Sequence, residues 1–590
     1  MSEWILTILI AVPLIGAVTL AVMGGPTSGL PAGRRFGNIA LAFSGVTFLL
    51  TLLALRLFFA ATGDAGRAAD AGDFALVQNV SWIGDSRFLD FRYHVGVDGL
   101  SIWLLALTAF ITPLAIWGSF TAIKERVKEY YVLLLLLEAG MIGVFAARDL
   151  LLFYIFFEFT LIPLFFLIGV WGGPERRRAA GTFFLYTFTG SMLTFAGVLY
   201  LAYLAYSMPA SAGGVGVFTF DLEALYGLQL PFDVQWWLFL AFMAGFAIKV
   251  PLFPFHTWLP LAHTEAPTAG SVILAGVLLK LGTYGFMRFS LPMLPDASMH
   301  FGPLMATLAI IGVIYAALIA WVQQDVKKLV AYSSVSHLGM CMLGMFSLKT
   351  AGLVGSHLYM VNHGLSTGAL FLVIGMMYER YHTREFDKIG GLARRMPWLA
   401  FFLVFFTLTS IGLPGLNGFV SEFLVLLGAF TSGSASDQGF AGPLNPWYGI
   451  FAATGIVLGA IYMLYMCRRV LFGPLQEPEH TPDTSAGLTV DLTGREIGIL
   501  ASIAVLCVVF GVYPKLLTDS ITPAAEKQIL ARFEGVAAGA SQLAQEDDLT
   551  PSFELRPTHA PAAAERHADD APAGPLAAAS TTELLAEGRR

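Results

Sequence analysis

The stretch Ala247-Ile248-Lys249-Val250-Pro251-Leu252-Phe253-Pro254-Phe255-His256 decides the fold. It sets a lysine inside an apolar run and then interrupts that run with two prolines. An ammonium at mid-bilayer costs roughly 2.5–3.5 kcal/mol on the insertion scale, so such a residue turns toward a protein interior or a wet cavity. Proline removes a backbone donor and frees carbonyls that must find side chains or water. A titratable lysine at a broken helix implies an ion pathway, with proton carriage as the first candidate.

The rest of the chain fits a membrane setting. Its 590 residues are 56% hydrophobic and 13% charged, against about 25% charged in soluble domains, and the mean hydropathy is +0.70. Apolar runs long enough to span recur near 3–23, 36–60, 97–122, 130–147, 149–171, 179–207, 234–256, 264–290, 302–322, 327–347, 352–379, 396–430, 446–471 and 496–514. The expected fold is an all-α polytopic membrane protein of about fourteen helices. The run 396–430 is too long for one straight crossing, and Gly412-Leu413-Pro414-Gly415 with Gly418 splits it. Broken helices thus fall at the seventh and twelfth spans. Five helices separate them, an odd number, so the second copy is inverted relative to the first.

Basic residues orient the chain. Arg34 and Arg35, Lys124 to Lys128, Arg176 to Arg178, Lys327 and Lys328, Arg380 to Arg395, and Arg468 and Arg469 follow alternate spans. That side reads as cytoplasmic, and both termini then fall outside. The outer loop 61–96 breaks the pattern with Arg67, Arg87 and Arg92, accompanied by Asp64, Asp70, Asp73, Asp85 and Asp90. The expected organisation is 1–129 (three spans and an outer loop), 130–290 (first five-helix bundle), 302–471 (second, inverted bundle), 472–514 (loop and last span) and 515–590 (a polar, largely disordered tail). Within the tail, 522–545 is compatible with a surface helix and 546–590 reads as disordered.

Several classes drop out. No basic cluster resembles a nucleic-acid patch. Cys341, Cys467 and Cys507 are isolated, which disfavours a disulfide framework or an iron–sulfur site. Gly213-Gly214-x-Gly216 follows no strand and is discounted as a nucleotide loop. Met1–Met23 lacks a basic start and a cleavage site, so it reads as the first span.

The ionisable residues inside the spans carry the functional expectation. Glu158, in the fifth span, either pairs with Lys249 and controls its proton affinity or forms a static ion pair. Burial weakens an ammonium's hold on its proton and a nearby carboxylate strengthens it, so moving the carboxylate away releases a proton. Lys280 is too central in the eighth span for easy snorkelling. Glu422 follows the Gly/Pro break and suits a terminal proton site, or caps the second half-helix. His337 and His363 suit a relay because imidazole both donates and accepts, or are hydrogen-bonded core residues. Glu138, in the fourth span, belongs to the path or satisfies a backbone donor. His357 reads as structural. His256 and His263 lack a third ligand for a metal, which leaves loop or uptake-side roles. The many phenylalanines read as packing and lipid contact.

Lys249-Val-Pro-Leu-Phe-Pro-Phe-His256-Thr-Trp258-Leu-Pro260, then His263, Glu265-Ala-Pro267-Thr-Ala-Gly270-Ser271 and Leu278-Leu-Lys280-Leu-Gly-Thr-Tyr284-Gly285, resembles the antiporter-like subunits of respiratory complex I. That family is related to subunits of multisubunit Na+/H+ antiporters and membrane-bound hydrogenases. The resemblance covers most of 90–515. The acid at Glu422, in Gly412-Leu-Pro-Gly-Leu-Asn-Gly-Phe-Val-Ser-Glu422-Phe, looks like the M-type branch. L- and N-type chains typically carry lysine there, and the L type continues into a lateral helix, whereas hydrophobic sequence here stops near Pro514. Leu261 departs from relatives that carry Asp or Lys.

The resemblance implies fourteen helices with two inverted bundles, spans four to eight and nine to thirteen. It implies Glu158 and Lys249 as a coupling pair, Lys280 as the central proton site, His337 and His363 as a bridge and Glu422 as the distal site. It further implies proton translocation within NADH:quinone oxidoreductase, in a bacterial inner membrane with both termini periplasmic. No cofactor or metal is expected in this chain; FMN, iron–sulfur clusters and quinone belong to partner subunits. The expected partners are L-type and N-type chains, small membrane subunits and lipid, with no nucleic acid. The alternatives are a subunit of a multisubunit Na+/H+ antiporter, which calls for an oxygen-rich cation site, and a structural scaffold, which leaves the buried charges unexplained.

Overall fold

The computed structural model describes residues 3–62, 73–83, 89–435 and 440–534. Thirteen helices among them are long and apolar enough to cross a membrane. The remaining crossing is split into Pro397–Ser410 and Asn417–Thr431. With that pair taken as one span, the count is fourteen and the breaks fall at the seventh and twelfth.

Helix starts follow local chemistry. Asp149 caps the fifth span (Leu150–Trp171) by accepting from Leu152 N. Asp325 caps the tenth (Val326–Phe346) through Lys327 N and Lys328 N. Thr493 and Glu496 form a reciprocal capping box on the last (Gly494–Val512). Each cap satisfies donors that a helix cannot satisfy itself.

Burial locates the centre. The apolar stretches of the eighth span (Thr268–Met293) and the eleventh (Thr350–Tyr381) are wholly enclosed by protein, whereas the first and last spans keep most of theirs on the surface. Ser, Thr, Asn and His on the enclosed helices therefore meet protein rather than lipid. The eighth and eleventh spans touch at Gly276 and Gly364, where a Cβ on Gly364 would stand 2.7 Å from the Gly276 carbonyl oxygen. The eighth span also widens into π turns at Leu274–Leu278 and Phe286–Ser290, on either side of Lys280. Such turns loosen backbone pairing and recur at functional sites.

The loops gather by charge. On the side of the basic loops, Gly29 N donates to Lys124 O at 2.7 Å, Trp171 Nε1 to Glu125 O at 2.9 Å, and Arg469 pairs with Asp387 at 2.7 Å. The opposite side holds the start of the first span, where Thr7 bonds Gln78, and the 208–231 loop.

Two regions depart from the sequence reading. The 61–96 loop contains an antiparallel hairpin, Ala75–Ile83 with Leu89–Val97, joined by Phe218–Thr219. The fold is therefore helical in its spans with a small outer sheet. Within the hairpin Arg92 pairs with Asp90 at 2.7 Å, which neutralises one of the exceptional arginines; Arg67, Arg87, Asp64, Asp70 and Asp85 lie outside the described residues.

The second departure is the tail. Lys515–Ala525 is a helix that continues through Glu526–Leu530 and on to 534, starting earlier than the expected surface helix. Leu517, Ile521, Ala524, Ile529 and Phe533 are buried. Trp103 Nε1 donates to Ser520 Oγ at 2.8 Å and Arg532 to Tyr226 O at 3.0 Å. An amphipathic face explains the ordering: its apolar stripe covers the outer end of the helices. The expectation of disorder over 546–590 falls outside the described residues.

Candidate functional site

The seventh span runs Phe232–Lys249 and resumes at Trp258–Glu265. Between them Pro251 and Pro254 donate nothing, and the freed Ile248 carbonyl accepts the Trp258 indole N–H at 2.9 Å. Lys249 sits at the end of the first half-helix, 4% exposed. Its ammonium rests over two aromatic faces, 4.8 Å from the Phe157 centroid and 6.0 Å from Phe183. Among the described residues no carboxylate lies within 4.0 Å of it. Glu158 lies within electrostatic reach and faces Ser191 of the sixth span. The two residues of the expected coupling pair are therefore not in direct contact, and cation–π contacts with the neighbouring helices hold the lysine.

Lys280 is fully buried. Its Nζ reaches back to Ala275 O within the π turn and lies 2.8 Å from His363 Nδ1. The His363 and His337 rings are 5.8 Å apart between centroids. His337 Nδ1 lies 2.6 Å from the Tyr359 hydroxyl, which donates to Glu422 Oε1 at 3.2 Å. Lys280–His363 and His337–Tyr359–Glu422 are therefore two hydrogen-bonded runs whose imidazoles neighbour one another, the Nε2 atoms of His363 and His337 having no partner among the described residues, and Tyr359 supplies the link that sequence reasoning missed. Tyr359 stands four residues before His363, on the same helix face, which was the available signal. A cavity of about 10 Å³ adjoins His337, Tyr359 and Glu422, the size of about one water.

The twelfth-span break serves Glu422. Gly412 has φ +72°, and a Cβ there would stand 2.1 Å from Glu422 Oε2. Glycine satisfies both the left-handed backbone and the close approach. The second half-helix is pinned by two buried amides. Asn362 Nδ2 donates to Asn417 O at 2.7 Å, and Asn417 Nδ2 to Asn362 Oδ1 at 3.1 Å.

Other candidates stand apart. Glu138 accepts from Ser44 of the second span at 2.9 Å, and its other oxygen has no partner among the described residues. His357 is buried, with neither ring nitrogen partnered among the described residues. His263 belongs to the helix Trp258–Glu265 rather than a loop, fully buried and stacked on Phe371 at 4.6 Å. Among the described residues no three His, Cys, Asp or Glu side chains converge to hold a metal.

Comparison with known proteins agrees with this arrangement. Residues 147–436 match the family described as NADH:quinone oxidoreductase/Mrp antiporter, TM. NADH-quinone oxidoreductase subunit M of Rhodobacter capsulatus is 43% identical over 88% of this chain and 95% of its own length. NADH-ubiquinone oxidoreductase chain 4 of Marchantia polymorpha is 40% identical over 87% and 94%. Among solved structures, respiratory complex I from Thermus thermophilus with bound NADH matches at a TM-score of 0.75 and 30% identity, covering 90% of this chain and all of the matched chain. The Mrp complex from Dietzia shares the fold alone, with a TM-score of 0.70 at 21% identity over 92% of this chain and 57% of that one. The chain belongs to the antiporter-like membrane subunits of NADH-quinone oxidoreductase, in the subunit M branch.

Proposed function

We propose that this membrane subunit of NADH:quinone oxidoreductase moves protons along Lys280, His363, His337, Tyr359 and Glu422, under the control of Glu158 and Lys249. Two hydrogen-bonded runs, Lys280–His363 and His337–Tyr359–Glu422, with their imidazoles 5.8 Å apart between centroids, carry the reading. The Tyr359 hydroxyl donates to Glu422 while accepting from His337. When a proton arrives at His337 Nε2, the Nδ1 proton passes to the Tyr359 oxygen as the tyrosine proton passes to the Glu422 carboxylate, which leaves His337 neutral and Tyr359 reprotonated.

The Glu158–Lys249 pair need not touch to drive this. At an effective dielectric of about 20, unit charges about 8 Å apart interact by about 2 kcal/mol. A charge crossing 100 mV is worth about 2.3 kcal/mol. Displacing Glu158 is therefore competent to release the Lys249 proton toward Lys280. NADH oxidation and quinone reduction occur on FMN, iron–sulfur clusters and quinone held by other subunits, and the membrane partners are L-type and N-type antiporter-like chains and small membrane subunits. The basic loops face the cytoplasm of a bacterial inner membrane, both termini face the periplasm, and the five-helix bundles are 130–290 and 302–471. A Na+/H+ exchange reading shares the fold, but no cluster of three His, Cys, Asp or Glu side chains that could hold a cation occurs among the described residues.

The test is proton pumping by the reconstituted complex. Lys280→Ala and Glu422→Ala are expected to lower the proton-to-electron ratio while assembly and NADH oxidation by the hydrophilic arm persist. Full pumping in both would reject the scheme.

A further inference from the structure

A recess on the side of the basic loops lies away from the relay. It is a cavity of about 180 Å³ lined by Gly173, Thr264, Glu265, Thr268, Lys327 and Arg384, among others. The helix Trp258–Glu265 ends here and Pro267 begins the eighth span without an N–H, so the carbonyls between them need outside donors. Lys327 answers two of them. Its Nζ donates to Ala266 O at 2.6 Å and to Thr264 O at 3.5 Å. Thr264 O also accepts from Arg384 at 2.8 Å, and Arg384 in turn pairs with Asp325 at 3.3 Å.

Lys327 is buried, at 6% exposure, on the first turn of the tenth span. No carboxylate lies within 4.0 Å of its ammonium among the described residues. A backbone cradle could be met by an arginine or an amide; a lysine adds a removable proton. Next to that cradle His263 is wholly enclosed, with neither ring nitrogen partnered among the described residues. Both Lys327 and Lys280 lie within electrostatic reach of the His263 ring, and Lys280 already holds His363. His263 immediately precedes Thr264, whose carbonyl Lys327 holds, so the ring and the cradle belong to the same turn of the Trp258–Glu265 helix.

We infer that Lys327 is the uptake-side proton carrier, loaded by water in the recess and discharged through His263 to Lys280. This rests on the relay proposed above and supplies its missing inner end. In the step, a Lys327 N–H bond breaks as a bond forms to the free lone pair of neutral His263. The imidazolium then gives its other proton to the neutral Lys280 amine, and the Lys327 amine regains a proton from the recess. Charge and proton number are conserved, and no further reactant is needed.

The experiment uses the whole complex in proteoliposomes and reads the proton-to-electron ratio. Lys327→Arg keeps the cation and the carbonyl contacts but cannot deprotonate, whereas Lys327→Met removes both. Both are expected to fall to the ratio seen with Lys280→Ala. A normal ratio in Lys327→Arg with a low one in Lys327→Met would reduce Lys327 to a structural clamp and overturn the proposal. Normal ratios in both Lys327 variants beside a low one in Lys280→Ala would overturn it while leaving the relay standing; a normal ratio in Lys280→Ala would remove the relay itself. Where a Lys327 variant does not assemble, Thr268→Cys decides. A membrane-impermeant thiol reagent on the inner face is expected to lower its ratio and leave the unsubstituted complex unchanged, and an unaltered ratio after complete labelling rejects the recess as the route.

Discussion

The two broken helices use one backbone device and wire it differently. At the seventh span the break leaves Lys249 on the faces of Phe157 and Phe183, while the hydrogen bonds of Lys280 go to Ala275 O and His363. At the twelfth span the break brings Glu422 within 3.2 Å of Tyr359 and, through it, to His337. The first half holds its lysine on aromatic faces; the second is hydrogen-bonded within Lys280–His363 and within His337–Tyr359–Glu422, and the two imidazoles between these runs stand 5.8 Å apart between centroids. In the proposed relay the Lys280–Glu422 half therefore has one short gap to bridge, whereas Lys249 and Lys280 share no hydrogen bond among the described residues. Under that proposal control sits at the first break and conduction at the second.

Breaking the wired half at one atom tests that division most severely. Tyr359→Phe keeps the ring and removes the oxygen between His337 and Glu422. Losing a positioned proton-transfer group typically costs about 10²–10⁴-fold in rate. Pumping is expected to fall as far as in Glu422→Ala, with assembly unchanged. Near-normal pumping would show that water in the adjoining small cavity replaces the hydroxyl.

Gly412→Ala acts on the same half less completely. The new methyl would collide with Glu422 Oε2 and hold a non-glycine residue at φ +72°, a strain of about 1–3 kcal/mol. The expected result is a displaced carboxyl, slower pumping and a lower melting temperature of the purified complex. Unchanged pumping would mean that Glu422 reaches Tyr359 from more than one position.

The aromatic half calls for a gentler change. Phe183→Leu removes one of the two aromatic faces beside Lys249. A cation–π contact is worth about 0.5–2 kcal/mol, so Lys249 should release its proton several-fold more readily and pumping should change modestly. Pumping as low as in the Tyr359 variant would erase the distinction between the halves.

The sequence disclosed the charges more readily than their connections. Lys249, Lys280 and Glu422 stood out because burying a charge in a membrane is expensive, and that rule needs no geometry. Tyr359 did not stand out, since tyrosine is common at the edges of spans and its role appears only when a second helix supplies Glu422. The π turns around Lys280 were hidden for a related reason: helix pitch leaves no mark on hydrophobic patterning. The outer hairpin was legible and was passed over. Phe91, Tyr93, Val95 and Val97 alternate with period two. The packed helix from Lys515 was obscured by the polar, Ala/Pro-rich sequence that follows it.

The inverted repeat yields the smallest and most local test. The fifth and tenth spans are equivalent under a five-helix shift, and both begin at a capping aspartate. Asp325 is answered by Arg384 at 3.3 Å. Asp149 is 2% exposed, and its Oδ2 has no partner among the described residues. Burial pushes the Asp149 carboxyl up from 3.8 to about 7, against the pull of the Leu152 amide. A carboxyl raised in the folded state holds its proton there after the unfolded chain has lost it. Stability therefore falls as pH rises from about 4 to about 7 and is level above that. Asn caps a helix as well as Asp and does not titrate. The melting temperature of Asp149→Asn relative to the unsubstituted complex should therefore climb between pH 5.5 and 7.5, by on the order of 1 °C in a protein this large. A relative melting temperature that stays level across that range would mean that the buried Asp149 carboxyl is satisfied in the assembled complex, and would confine the asymmetry between the halves to the breaks themselves.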